Sequence, residues 1–88
     1  MSKFTEDFQE LYRERIKPLL ISKNYAKVNE IIINIKVGKK GLPKYNLIFE
    51  EDEKLMHLLS RLGDETEDGE KPNSHTIADI EKFLSKIF

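Results

Sequence analysis

Four lysines, Lys36, Lys39, Lys40 and Lys44, lie within nine residues of the chain. Ammonium groups held close together repel one another and are stabilised by a neighbouring anion. The chemistry that this cluster offers is therefore the binding of carboxylates or phosphates. What it could bind depends on the element that presents it.

The lysines lie in a segment, Val28 to Phe49, in which side chains of two kinds alternate. Such alternation predicts strands, and the glycine-containing stretch 38–41 predicts the turn between them. Pairing Ile33 with Leu47 makes one face of the hairpin entirely apolar, whereas a shift by one residue mixes the two faces. The opposite face then carries the pairs Ile32–Ile48, Asn34–Asn46 and Lys36–Lys44, with Lys39 and Lys40 in the turn.

Three further segments have the apolar spacing of amphipathic helices. Pro18 predicts a break near Lys17 in the first, because proline cannot donate the backbone hydrogen bond of a helix interior. Acidic residues 50–53 and Gly63 are typical start and stop signals for the second, and Ser74 or Thr76 could cap the third. The apolar stripes are Phe4, Phe8, Leu11, Tyr12, Ile16, Leu19 and Leu20; Leu55, Met56, Leu58, Leu59 and Leu62; and Ile77, Ile80, Phe83, Leu84 and Ile87.

The segment from Gly63 to Asn73 is acidic and contains no residue with a large apolar side chain apart from Pro72. This composition predicts a flexible, solvated loop at 63–73 within a single domain, 1–88. The predicted fold class is α+β, with an antiparallel β-hairpin packed on one face by three amphipathic helices in the order α-β-β-α-α.

Motifs for catalysis and for metal binding are missing. The chain has no cysteine, and His57 and His75 are far apart on different predicted elements. No glycine-rich phosphate loop and no serine in a nucleophile context are present. We expect a non-enzymatic protein without cofactor or metal, and the lack of a secretory pattern or a long apolar run predicts a soluble cytoplasmic protein.

The leading functional hypothesis is a small protein-binding domain, an inhibitor or regulatory adaptor, whose hairpin tip contacts an acidic protein surface. The alternative is a nucleic-acid-binding protein that uses the same hairpin, although a net charge of −1 argues against it. The acidic loop could instead neutralise the lysines internally, and the hairpin edge could pair with a second copy to give a homodimer rather than a monomer. The predicted contact residues are Lys36, Lys39, Lys40, Lys44, Asn34 and Asn46.

Overall fold

The computed structural model describes residues 3–37, 45 and 52–87, and gives the backbone alone for residues 3, 4 and 87. These residues form an all-helical domain. Helix α1 has three contiguous segments, an α-helical one at Lys3–Glu10, a π-helical one at Leu11–Ile16 and an α-helical one at Lys17–Ile21. Helix α2 is Tyr25–Lys36, α3 is Glu53–Glu65 and α4 is Ser74–Ile87, with a short 3₁₀ turn at Glu67–Gly69.

The predicted β-hairpin is wrong, and with it the α+β class, because the first predicted strand lies in helix α2. The segment satisfies two periodicities at once. Ile31, Ile33 and Ile35 alternate as in a strand, but Val28, Ile32 and Ile35 recur at the spacing of a helix face. The structure buries the helical set completely and leaves Ile33 45% exposed, so the helical period decides the core.

The core is the apolar interior between the helices. Its buried members are Phe8, Leu11, Tyr12 and Ile16 of α1, Val28, Ile32 and Ile35 of α2, Leu55, Leu58, Leu59 and Leu62 of α3, Ile80 and Leu84 of α4, and Tyr45. The predicted stripes of α1, α3 and α4 therefore supply most of the core. Tyr45 also donates a hydrogen bond of 2.8 Å to the Glu10 carboxylate.

Helix α1 passes through Pro18 without ending, because the helix changes its hydrogen-bonding pattern just before it. The Lys17 amide donates to the Tyr12 carbonyl, five residues back, as in a π-helix. In an α-helix, the proline ring would meet the carbonyl four residues earlier. Pro18 then occupies the first turn of the segment Lys17–Ile21, where its missing N–H costs little. The predicted break near Lys17 is thus a change of helix type.

A tight corner joins α1 to α2. The Asn24 amide donates to the Leu19 carbonyl at 2.8 Å, and the Lys23 amide donates to the Leu20 carbonyl at 3.2 Å. This pair of bonds is the Schellman motif, which closes the C-terminus of a helix. Its central residue must adopt positive φ, and Lys23 does so at 62° although it is not glycine.

Helix α3 starts as the sequence predicts but does not stop there. The Asp52 side chain accepts a hydrogen bond from the Leu55 amide at 3.1 Å, which caps the N-terminus. The helix continues past Gly63 to Glu65, so the predicted stop at Gly63 is wrong. Gly63 is instead buried against α2. A Cβ atom at this position would lie 2.9 Å from Cγ2 of Ile32, and the Asn29 amide group donates to the Gly63 carbonyl at 2.6 Å.

The acidic segment folds partly into helical structure. Its first residues belong to α3, and the Thr66 hydroxyl is buried and donates to the Leu62 carbonyl at 2.8 Å. Asp68 and Gly69 both have positive φ and turn the chain back towards α2, where Gly69 approaches Ala26. The single domain and the flexibility of 63–73 stay predictions.

Replacing Gly63 by alanine should lower the free energy of unfolding by about 1–2 kcal/mol. An extra methyl group in a packed interior typically costs about 1–3 kcal/mol, and the better helix propensity of alanine offsets up to about 1 kcal/mol of that cost. Urea denaturation of Gly63→Ala and the wild type measures the difference.

The Ile32→Ala background separates crowding from other effects of Gly63→Ala. Because Ile32→Ala removes the Cγ2 atom that the new methyl group would meet, the cost of Gly63→Ala should shrink or change sign there. An equal cost in both backgrounds would contradict the close α2–α3 contact.

Replacing Lys23 by glycine should raise the free energy of unfolding by about 0.5–1 kcal/mol, because glycine adopts positive φ without strain. Lys27→Gly is the matched control, since Lys27 is an exposed lysine inside α2. The free energy of unfolding of Lys27→Gly should be about 1 kcal/mol lower than that of the wild type. Thermal denaturation measures the stability of both variants. Similar losses of stability in Lys23→Gly and Lys27→Gly would refute the Schellman corner.

Candidate partner-binding groove between helices α3 and α4

A groove of about 280 Å³ lies between α3 and α4. It is called the α3–α4 groove and is lined by Lys54, Leu58, Asp79, Lys82, Phe83 and Lys86. Lys54 and Leu58 are four residues apart on α3, and the α4 residues recur at spacings of three and four, so each set shares one face of its helix. The packing of α3 on α4 therefore brings three lysines around an apolar floor.

Phe83 forms the partly exposed centre of this floor and is supported from below. Its ring meets the buried Phe8 ring of α1 edge to face, with the ring centroids 6.0 Å apart and an interplanar angle of 87°. The Lys54 ammonium lies 4.9 Å from the Phe83 ring centroid, within the range of a cation–π contact. The floor is thus fixed by the core on one side and bordered by a cation on the other.

A polar network holds the N-terminal half of α4 on α3. The Arg61 guanidinium donates to the Asp79 carboxylate at 2.9 Å and to the Thr76 hydroxyl at 3.1 Å. The Thr76 hydroxyl in turn donates to the Glu65 carboxylate at 2.7 Å, and the other oxygen of Glu65 accepts from the Asn73 amide at 2.8 Å. The Asp79 carboxylate, which lines the groove, is therefore paired with Arg61 rather than with a lysine of the groove.

Helix α4 is also tied to α1. The Lys17 ammonium lies 2.9 Å from the Glu81 carboxylate. The Tyr12 hydroxyl is hydrogen-bonded to the same carboxylate, and burial, followed by the negative charge of Glu81, raises the pKa of Tyr12 well above its ordinary value. These contacts place α4 against two neighbouring helices and so determine the shape of the groove.

A second, more open depression of about 500 Å³ continues along α3. It shares Lys54 and Leu58 with the α3–α4 groove and adds Glu53, His57 and Arg61. His57 Nε2 lies 3.7 Å from the Glu53 carboxylate on the exposed side of the helix. The apolar surface around Leu58 is therefore bordered mainly by basic side chains over two adjoining depressions.

The predicted contact residues are placed differently from what the hairpin required. Lys36 is exposed at the last residue of α2. Asn34 is half-buried two residues earlier, which places it roughly 200° away around the helix axis. The other four, Lys39, Lys40, Lys44 and Asn46, lie outside the described residues, so their role in binding stays a prediction.

Sequence reasoning missed Lys54, Lys82 and Lys86. Lys82 and Lys86 are four residues apart on a predicted helix, which indicates a shared face, but surface helices commonly carry such pairs. Lys54 is distant from both in sequence. Only the packing of α3 on α4 brings the three together, and no local pattern encodes that contact.

Comparison with protein-family models, with curated proteins and with solved structures found no match. Within residues 3–37, 45 and 52–87, no group of three or more acidic, histidine or cysteine side chains is placed to hold a metal ion. None of the helices in this part of the chain combines the length and the hydropathy needed to cross a bilayer.

The raised pKa of Tyr12 should make the free energy of unfolding fall above about pH 10, the ordinary pKa of tyrosine. In the unfolded chain Tyr12 loses its proton near that pH, whereas in the folded chain it keeps the proton. The unfolded state then binds fewer protons, so rising pH favours unfolding.

Urea denaturation between pH 9 and 11 measures this dependence, with Tyr12→Phe for comparison. The variant should be less stable at neutral pH, because the bond to Glu81 is lost, but its stability should fall less steeply with pH. Equal slopes for variant and wild type would show that Tyr12 ionises normally in the folded protein.

Proposed function

We propose that this protein is a small protein-binding domain, and that its α3–α4 groove binds an acidic amphipathic helix of a partner. The observation that carries the proposal is the placement of Lys54, Lys82 and Lys86 around the apolar floor of Leu58 and Phe83. In the described part of the chain none of these lysines forms an ion pair with a carboxylate. The groove thus offers both charge and apolar area to a ligand.

The shape and chemistry of the groove favour a helical ligand. Two adjacent helices leave a furrow in which the apolar face of a third helix can lie. Apolar side chains of that helix would cover Leu58 and Phe83, and its flanking Asp or Glu residues would meet the lysines on the two walls. A helix with an apolar stripe bordered by acids has this arrangement.

Affinity would come from both parts of the contact, and selectivity from its charges. Burial of apolar surface contributes about 25 cal/mol per Å², so covering the exposed part of the floor adds to the binding free energy. Exposed ion pairs contribute about 0–1 kcal/mol each but exclude basic partners and speed association. The lysines therefore both select an acidic partner and contribute to its affinity.

The test uses a synthetic helical peptide of Leu and Glu in amphipathic spacing, and the same peptide with Gln in place of Glu. Isothermal titration calorimetry measures both against the wild type and against Lys54→Met/Lys82→Met/Lys86→Met. Methionine keeps the apolar stem and removes the charge. We expect the acidic peptide to bind the wild type about tenfold or more tightly than it binds the triple variant, since three exposed pairs are removed.

The matched control is Lys23→Met/Lys27→Met/Lys36→Met, which removes the same charge from exposed positions outside the groove. It should bind the acidic peptide with little change at physiological salt. Equal losses in the two triple variants would show that only net charge matters and would overturn the groove. Equal binding of the Glu and Gln peptides would also overturn it.

A nucleic-acid ligand is the competing outcome. Duplex DNA and single-stranded RNA of random sequence are titrated at low and physiological salt, because phosphate binding weakens steeply as salt rises. Nucleic acid would replace the proposed protein ligand if two results are obtained together. DNA or RNA binds the wild type but not Lys54→Met/Lys82→Met/Lys86→Met, and the acidic peptide does not bind.

A further inference from the structure

A third cavity, of about 380 Å³, lies on a different part of the molecule. It is called the corner cavity because it opens beside the corner between α1 and α2. Its lining comes from the end of α1, the start of α2, the segment that leads into α4 and the first residues of α4. The lining residues are Leu20, Tyr25, Lys71, Pro72, Ser74, Ile77 and Ala78.

The local structure of three segments builds this cavity. The Schellman corner at Lys23 reverses the chain between Leu20 and Tyr25, so both residues border the same space. On the other side, Ser74, Ile77 and Ala78 recur at spacings of three and four and share one face of α4. Pro72 is buried and fixes the entry of the chain into that helix.

The walls are mostly apolar. Leu20, Ile77 and Pro72 supply aliphatic surface, and the half-buried Tyr25 supplies an aromatic ring. Ala78 adds only a methyl group at a position where a longer side chain would occupy the space. A cavity of a few hundred Å³ with walls of this kind is typical of sites for small molecules.

Three of the lining residues carry polar groups. They are Lys71, Tyr25 and Ser74. Lys71 is exposed and forms no ion pair within the described residues. Its positive charge beside an apolar cavity is complementary to a ligand with an apolar body and one negative group, and the two hydroxyls can donate hydrogen bonds to such a group.

We infer that the corner cavity is a binding site for a small apolar carboxylate. The apolar body of the ligand lies against Leu20, Tyr25 and Ile77, and its carboxylate pairs with Lys71. This site is separate from the α3–α4 groove in its lining residues, so it does not depend on the function proposed for that groove.

The first experiment titrates 2-naphthoate and octanoate into ¹⁵N-labelled protein and follows the amide chemical shifts. The uncharged partners 2-naphthamide and octanamide are titrated in parallel, so that the contribution of the carboxylate is isolated. We expect the carboxylates to bind more tightly than the amides. Their saturable shifts should be centred on Leu20, Tyr25, Ile77 and Ala78. Binding of naphthoate alone or octanoate alone would identify an aromatic or an aliphatic body as the preferred one, and each result supports the site.

Two variants then test the assignment of the residues. Lys71→Met should weaken binding of the carboxylates about threefold to tenfold and leave binding of the amides unchanged. Ala78→Phe should fill the cavity and abolish binding of both. Lys36→Met, an exposed lysine on another helix, is the control and should bind like the wild type.

Several results would overturn the inference. They are the absence of shifts at millimolar ligand, shifts centred on residues outside the lining, and equal binding of carboxylates and amides. Unchanged binding in Ala78→Phe, shown by circular dichroism to be folded, would do the same. Loss of binding in the Lys36→Met control would show that the carboxylates respond to overall charge rather than to this cavity.

Discussion

The close contact of helix α2 with helix α3 at Gly63 is the constraint on which the rest of the structure depends. A glycine inside α3 lets Ile32 approach so closely that a Cβ atom at position 63 would lie 2.9 Å from Ile32 Cγ2. The Asn29 side chain donates to the Gly63 carbonyl, so one of the last carbonyls of α3 is satisfied by the neighbouring helix. Together these two interactions set the distance and the register of α2 on α3.

The position of α4 follows from α3 and α1. The network of Arg61, Asp79, Thr76 and Glu65 joins α4 to α3, while Lys17 and Tyr12 of α1 contact Glu81 on α4. Exposed ion pairs of this kind add little stability singly, but they define one orientation of a helix that apolar packing alone would leave less well determined. The α3–α4 groove and the corner cavity both have α4 as a wall, so both depend on this orientation.

The acidic and basic side chains around the groove differ in their pairing. Asp79 lies in the groove but is paired with Arg61, and Glu81 is turned to Lys17 and Tyr12. Among the residues that the structure describes, Lys54, Lys82 and Lys86 surround Phe83 and form no ion pair with a carboxylate. A chain with a net charge of −1 thereby presents a locally basic, partly apolar surface between α3 and α4.

The sequence by itself determined the amphipathic stripes of α1, α3 and α4, the Asp52 cap region and the disturbance at Pro18. These features depend on local periodicity and local backbone chemistry. It could not decide between strand and helix for Val28–Lys36, because the isoleucines there fit periods of both 2 and 3.6. Only tertiary structure resolved this choice, since burying Val28, Ile32 and Ile35 in the core is favourable and leaves Ile33 exposed. The sequence indicated Gly63 as the end of α3 because glycine commonly follows the last residue of a helix. Its close contact with Ile32 is distant in sequence and leaves no local signal. The grouping of Lys54 with Lys82 and Lys86 was equally hidden, because it exists only once α3 and α4 lie side by side.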